Sequence, residues 1–141
     1  MSTEEKKSVV RNMLGLIEKG DVQNVEKYFS PNWENHDSSL PLMEGLEGAK
    51  QLIGLWTAFS DKKVTIEDIL AEGDLVAAHF VVTGTHIGTF LGIAPTGKTI
   101  RMTATGIFHI VDGKSTDNWV NIDALGLLQQ LGAVPEQQRQ P

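Results

Sequence analysis

The sequence predicts an α+β fold, with N-terminal helices packed on one face of a curved antiparallel sheet that forms a cone-like barrel. Three observations carry this expectation. Apolar residues recur at helical spacing as far as Ser60, then at every second position from Val64 to Ile122. Helices come first and strands follow as neighbours, the order of an α+β domain. Asp112-Gly113 sits between two alternating runs, where a two-residue turn needs positive φ.

Thr3 to Lys19 reads as a helix carrying Val9, Val10, Met13, Leu16 and Ile17, with Ser2 or Thr3 as N-cap and Gly20 as stop. Asp21 is expected to cap a shorter helix through Val22, Val25 and Phe29, ended by Ser30-Pro31. A third helix is expected over Gly45 to Ser60. Strands follow from Val64, Ile66 and Ile69 to a turn near Glu72-Gly73-Asp74, then at Leu75 to His86, Lys98 to Val111 and Lys114 to Ile122. Asp123 then caps a short helix, Ala124 to Leu131, closed by Gly132. One domain spans residues 1–134. The tail 135–141 is polar and is expected to be disordered.

The chain has 141 residues, a net charge of −6 and no cysteine. Scattered Lys and Arg give no basic stripe, so a nucleic-acid partner is not expected. Without cysteine there is no disulfide, thiolate nucleophile or Cys-based metal site. The N-terminus is charged, with no secretory h-region, and no apolar run could span a bilayer. A cytoplasmic protein without membrane partners is the expectation.

With a two-residue turn at Asp112-Gly113, Gly106 faces Trp119, Ala104 faces Asn121 and Met102 faces Asp123. By alternation Met102, Ala104, Gly106, Phe108, Trp119, Asn121 and Asp123 share one face. That face is the expected wall of a pocket between sheet and helices. Arg101, Thr103, Thr105, Ile107 and His109 fall on the outer face, suited to subunit contact.

Gly92-Ile93-Ala94-Pro95-Thr96-Gly97-Lys98-Thr99 matches the phosphate-loop pattern. The alternation of Ile100, Met102 and Ala104 with Arg101, Thr103 and Thr105 makes the next segment a strand, where that motif requires a helix. The loop reads instead as a lip over the pocket, hinged at Gly88, Gly92 and Gly97.

The segments Gly84-Thr85-His86-Ile87-Gly88, Phe90 to Lys98, Ile110 to Lys114 and Asp123-Ala124-Leu125-Gly126-Leu127-Leu128-Gln129-Gln130-Leu131-Gly132 resemble the SnoaL-like polyketide cyclases (ester cyclases), of the nuclear transport factor 2-like fold. The resemblance implies a homodimer and an intramolecular aldol closure of a polyketide ester without metal or cofactor. It also implies an aspartate at the start of the last helix as acid–base group, a position held by Asp123. The Gln and His that stand beside that aspartate in those cyclases correspond to Ala104 and Gly106, which cannot donate from a side chain.

Asp123 on an apolar wall would lose solvation and become a tuned base; as a helix N-cap it would be only structural. His86 could polarise a carbonyl, or bond to nearby backbone at a strand end. Trp33, Asn35 and His36 are candidates for the pocket mouth, with a short edge strand as the other reading. Met102, Phe108, Trp119 and Asn121 complete the substrate-binding set. The four histidines match no metal motif, so no metal site is expected. The leading expectation is a cofactor-independent cyclase or isomerase acting on a hydrophobic carbonyl compound, with Asp123 and His86 catalytic. A binding protein without turnover and a hydrolase of the same fold are the alternatives.

Overall fold

The computed structural model describes residues 1–37 and 40–135. The first helix, α1 (Thr3–Lys19), begins with a capping box: Ser2 Oγ accepts from Glu5 N while Glu5 accepts from Ser2 N. It ends on Gly20 in the left-handed region, φ 64°. Its buried stripe, including Val10, Met13 and Ile17, lies mainly on strand β2 (Phe59–Glu72).

The next segment departs from expectation. A 3-10 stretch, Val22–Lys27, replaces the second helix, and Asp21 makes no capping bond to its backbone. Phe29, Ser30 and Pro31, expected to finish that helix, open strand β1 (Phe29–Asn35). Pro31 fits because β1 is an edge strand, where a missing N–H costs no ladder bond. Helix α2 (Gly45–Leu55) packs on β1 and is shorter than predicted. A single 3-10 turn, Trp56–Ala58, leads into β2, whose first residue Phe59 was expected to be helical.

Strands β3 (Leu75–His86), β4 (Thr99–Val111) and β5 (Lys114–Ile122) fall where the alternation predicts, and α3 (Ala124–Gln130) follows. The sheet order is β1-β5-β4-β3-β2, antiparallel except for the parallel β1–β5 pair, so it is mixed. The sheet is not closed by hydrogen bonds: β1 and β2 are its two edges, and α1 and α2 cover its inner side. The core lies between, with Phe29, Ile53, Phe80, Met102, Phe108 and Leu127 all buried.

The β4–β5 register changes the pocket wall. Val111 pairs with Lys114 and Ile110 with Ser115, as a two-residue turn requires; Asp112 and Gly113 have φ 51° and 79°. Then a bulge intervenes. His109 pairs with Asp117, Gly106 with Val120 and Ala104 with Ile122. One extra residue on β5 moves every later side chain to the opposite face. Asn118, Val120 and Ile122 face inward, while Trp119 and Asn121 face outward.

Among the described residues no helix is long and apolar enough to cross a membrane. Residues 136–141 of the expected disordered tail lie outside the described residues.

Candidate active site

The cavity between sheet and helices is walled by Met13, Leu14 and Ile17 of α1, Leu52 and Trp56 near the end of α2, and Phe80, Val82, Met102, Phe108, Val120 and Ile122 of the sheet. Its polar lining comes from one end, where β1 and β5 run in parallel: Asn35, Asp37 and Asn118. Its free volume is about 50 Å³, well below the ~150 Å³ that accepts benzene. A ligand larger than a few waters therefore enters only as side chains move.

The polar end is built by short-range bonds. Asn35 Nδ2 donates to the carbonyls of Asp37 (3.3 Å) and Leu40 (3.2 Å), and Asn35 Oδ1 accepts from Asp37 N, which ties Asp37 and Leu40 to the end of β1. His36 N donates to Asn118 O at 2.9 Å, extending the β1–β5 ladder by one residue. Buried Ser115 donates to Asn118 Oδ1 at 2.6 Å, leaving the amide NH2 of Asn118 as the half able to donate to a ligand. Among the described lining residues, Asp37 is the one ionisable group.

Of the residues expected here from sequence, Asn35, Met102 and Phe108 line the cavity. The others sit elsewhere. Trp119 is 42% exposed and stacks on His36 at the outer surface, with ring centroids 4.7 Å apart. Asn121 is exposed on the same outer face, paired with Thr105. Asp123 is exposed, and its Oδ1 accepts from Gly126 N at 3.0 Å, so the carboxylate serves as N-cap of α3. Trp33 is fully buried against Phe29, near Gly48 of α2, with its Nε1 unpartnered among the described residues.

His86 is also fully buried and does not line the cavity. Its Nδ1 accepts from Thr96 N at 3.1 Å, which places the ring proton on Nε2. Its backbone N and O bond to Lys98 O and Gly97 N. His86 thus fastens the glycine-rich loop to the rest of the molecule, and its ring packs on Phe59. Strand β4 follows that loop directly, so the helix N-terminus that a phosphate loop requires is missing from this segment.

Gly106 and Phe108 explain part of the cavity's shape. A Cβ on Gly106 would lie 2.7 Å from the Phe108 ring and 2.9 Å from Val120. The absent side chain makes room for that ring.

On the other side of the β1–β5 wall, Asp117 gathers a polar group. Its Oδ1 accepts from His36 Nε2 at 2.9 Å; its Oδ2 accepts from Thr116 Oγ1 at 2.7 Å and from His109 Nδ1 at 3.3 Å. The His36 bond, opposed by partial burial and aided by Thr116 and His109, holds the Asp117 carboxyl below its ordinary range.

A sheet with this order, covered by two N-terminal helices over an apolar cavity, agrees with an independent comparison of sequences. The profile of the SnoaL-like polyketide cyclases matches residues 7–131. The chain belongs to that family. Relatives include the nogalonic acid methyl ester cyclase of Streptomyces nogalater, 28% identical over 85% of this chain and 92% of the relative. The aklanonic acid methyl ester cyclase DnrD of Streptomyces peucetius is 30% identical, with 88% of each chain covered. Among solved structures, TsrD from Streptomyces laurentii superposes with a TM-score of 0.87 at 27% identity, over 95% of this chain and 99% of that one. The SnoaL-like fold of the chain is therefore shared along nearly its whole length.

Proposed function

We propose that this SnoaL-like chain is a cyclase-type enzyme that closes a ring in a hydrophobic carbonyl or polyketide-like small molecule by acid–base chemistry at a pocket carboxylate. The observation that carries this reading is the cavity itself: an apolar chamber whose polar lining is gathered at one end, where Asp37 is the ionisable side chain. The named activities of the relatives, ester cyclisations, are of the same class.

In this reading the apolar wall binds the carbon skeleton and expels water. The Asp37 carboxylate removes a proton from carbon α to a carbonyl. The resulting enolate attacks a second carbonyl of the same molecule, forming the ring C–C bond. Asp37, now protonated, returns its proton to the new alkoxide, while the Asn118 amide donates to the developing oxyanion. The closure moves one proton and makes one bond, with no change of oxidation state, so it requires no redox cofactor. Asp123, held by its own helix, keeps a capping role. The homodimer expected of this fold would form through the outer face of β4, around Thr103 and Thr105.

The test compares Asp37→Asn, Asn118→Ala and Asp123→Asn on a linear polyketide ester, followed by product chromatography. Asp37→Asn is expected to lower kcat by about 10²–10⁴-fold with ligand binding kept, and Asp123→Asn to leave turnover near the wild-type rate. Loss of turnover in Asp123→Asn with full activity in Asp37→Asn would overturn the assignment.

One observation favours a second reading, a pocket protein without turnover. The sheet residues Ala104 and Gly106 and the lining residues Val120 and Ile122 carry no side-chain donor, which leaves the reacting carbonyls only the polar end. Tight binding of the ester by a wild-type chain that never converts it would select this reading.

A further inference from the structure

Glu34 and Asp117 are register partners across the parallel β1–β5 pair, and both point away from the cavity. Two carboxylates in register on one face repel each other unless a hydrogen-bond donor or a cation lies between them. His36 lies there, its Nε2 2.9 Å from Asp117 Oδ1 and 3.7 Å from Glu34 Oε2. One donor atom from each of the three residues falls within 4.8 Å of the other two.

Nitrogen and oxygen ligands bind zinc at about 2.0–2.2 Å, which in a tetrahedral site sets ligand-to-ligand distances of roughly 3.3–3.6 Å. The His36–Asp117 pair, hydrogen-bonded at 2.9 Å, reaches that spacing by opening a few tenths of an ångström. Glu34 is half exposed and closes the remainder by a side-chain rotation.

The supporting groups are in place. Thr116 and His109 hold the second oxygen of Asp117, and Trp119 stacks on the His36 ring at an interplanar angle of 10°. Such outer contacts orient ligands and raise metal affinity. One imidazole with two carboxylates suits zinc and its neighbours among the divalent first-row ions.

We propose that Glu34, His36 and Asp117 form a divalent transition-metal site on the outer face of the β1–β5 pair. In the bound state the His36 imidazole is neutral with its ring proton on Nδ1, the Nε2 lone pair takes the metal, and Asp117 Oδ1 changes from acceptor to ligand. The site lies back-to-back with the polar end of the cavity. Glu34, His36 and Asp117 alternate with Asn35, Asp37 and Asn118 on the same segments. A bound ion would clip the two strands together behind the pocket's polar groups.

The experiment uses the untagged, chelator-stripped chain, with ZnCl2 followed by calorimetry and CuCl2 followed by tryptophan emission. Trp33 and Trp56 are buried, so the exposed Trp119 beside the site is the reporter. Expected is one saturable equivalent of Zn²⁺ per chain, quenching by Cu²⁺, and a rise in melting temperature with Zn²⁺. His36→Ala and Glu34→Gln, each checked for native circular dichroism, should weaken binding at least tenfold and abolish the rise. His79→Ala, which removes another exposed imidazole beside carboxylates, should bind as wild type. Trp119→Phe should bind Zn²⁺ by calorimetry while losing the quench. Wild-type affinity in a folded His36→Ala, or loss of binding in His79→Ala, would overturn the site.

Discussion

A single absent side chain shapes the wall of the cavity. Gly106 leaves the space that the Phe108 ring enters, so neither residue can be changed independently. Gly106→Ala should destabilise the fold by about 1–3 kcal/mol through overpacking against Phe108 and Val120. A denaturant midpoint measured alone and in combination with Phe108→Leu checks this. The double variant should recover part of the loss, because a smaller side chain at 108 clears the added methyl. Strict additivity would mean that the two side chains do not compete for the same space. The same logic applies to any ligand. At about 50 Å³ the cavity is closed by its own side chains, and Phe108 is a large one standing inside it.

Among the elements, the β5 strand shows what a sequence can and cannot specify. The strands and their order as neighbours follow from alternation at Leu75–His86 and Lys114–Ile122, and the turn follows from Asp112-Gly113. The face of β5 does not. Buried Ser115 bonds to Asn118 Oδ1, and between them an extra residue enters the strand. Nothing in the alternation of Thr116, Asp117, Asn118 and Trp119 marks that bulge, since polar residues occupy both faces. The slip carries Trp119 and Asn121 from the pocket wall to the outer surface. It also brings Asn118 inward, a lining residue that sequence reasoning overlooked.

Strand β1 was half legible: a short edge strand around Trp33 to His36 was one reading, while its start, Phe29 to Pro31, was expected to end a helix. Its inward residues, Phe29, Trp33 and Asn35, keep to every second position, but exposed Pro31 breaks the apolar run and the pairing with β5 is interrupted between Phe29 and Glu34. Asp37 was missed with it. The signal that remained was Pro31 between two aromatics, which suits an edge strand better than a helix end.

The group that ties β1, β5 and β4 on the outer side should respond to acid. The folded-state pKa of Asp117 is lowered, chiefly by His36. A lowered carboxylate adds stability that is full above the unfolded-state value, about 3.9, and is lost as pH falls through the lower folded value. Urea midpoints taken at descending pH should therefore drop below about pH 4 in the wild type, and less so in Asp117→Asn. An identical acid limb in the variant would remove Asp117 from the account.

For the molecule as a whole, the architecture was legible because it depends on many residues at once. Helices first, strands next and a last short helix give one answer even when Phe29 or Phe59 is assigned to the wrong element. The site was less legible because it depends on single positions: one bulge in β5 and one edge strand decide which side chains meet. A family profile covering residues 7–131 reflects the first kind of information. The identity of the residues lining the cavity reflects the second.

The parallel pairing of β1 with β5 has a consequence for how the chain folds and opens. Strands β2 to β5 join successive segments, whereas β1 must wait for a strand near the other end of the chain, Phe29 meeting Ser115. Such long loop closure is slow and tends to come late. The same seam is the natural place for the native state to part, since β1 is an edge with an interrupted ladder. Amide exchange followed by mass spectrometry should find β1 far less protected than β3 and β4; equal protection would contradict this order. The last seam to close would then be the first to open, and it runs beside Asp37 and Asn118.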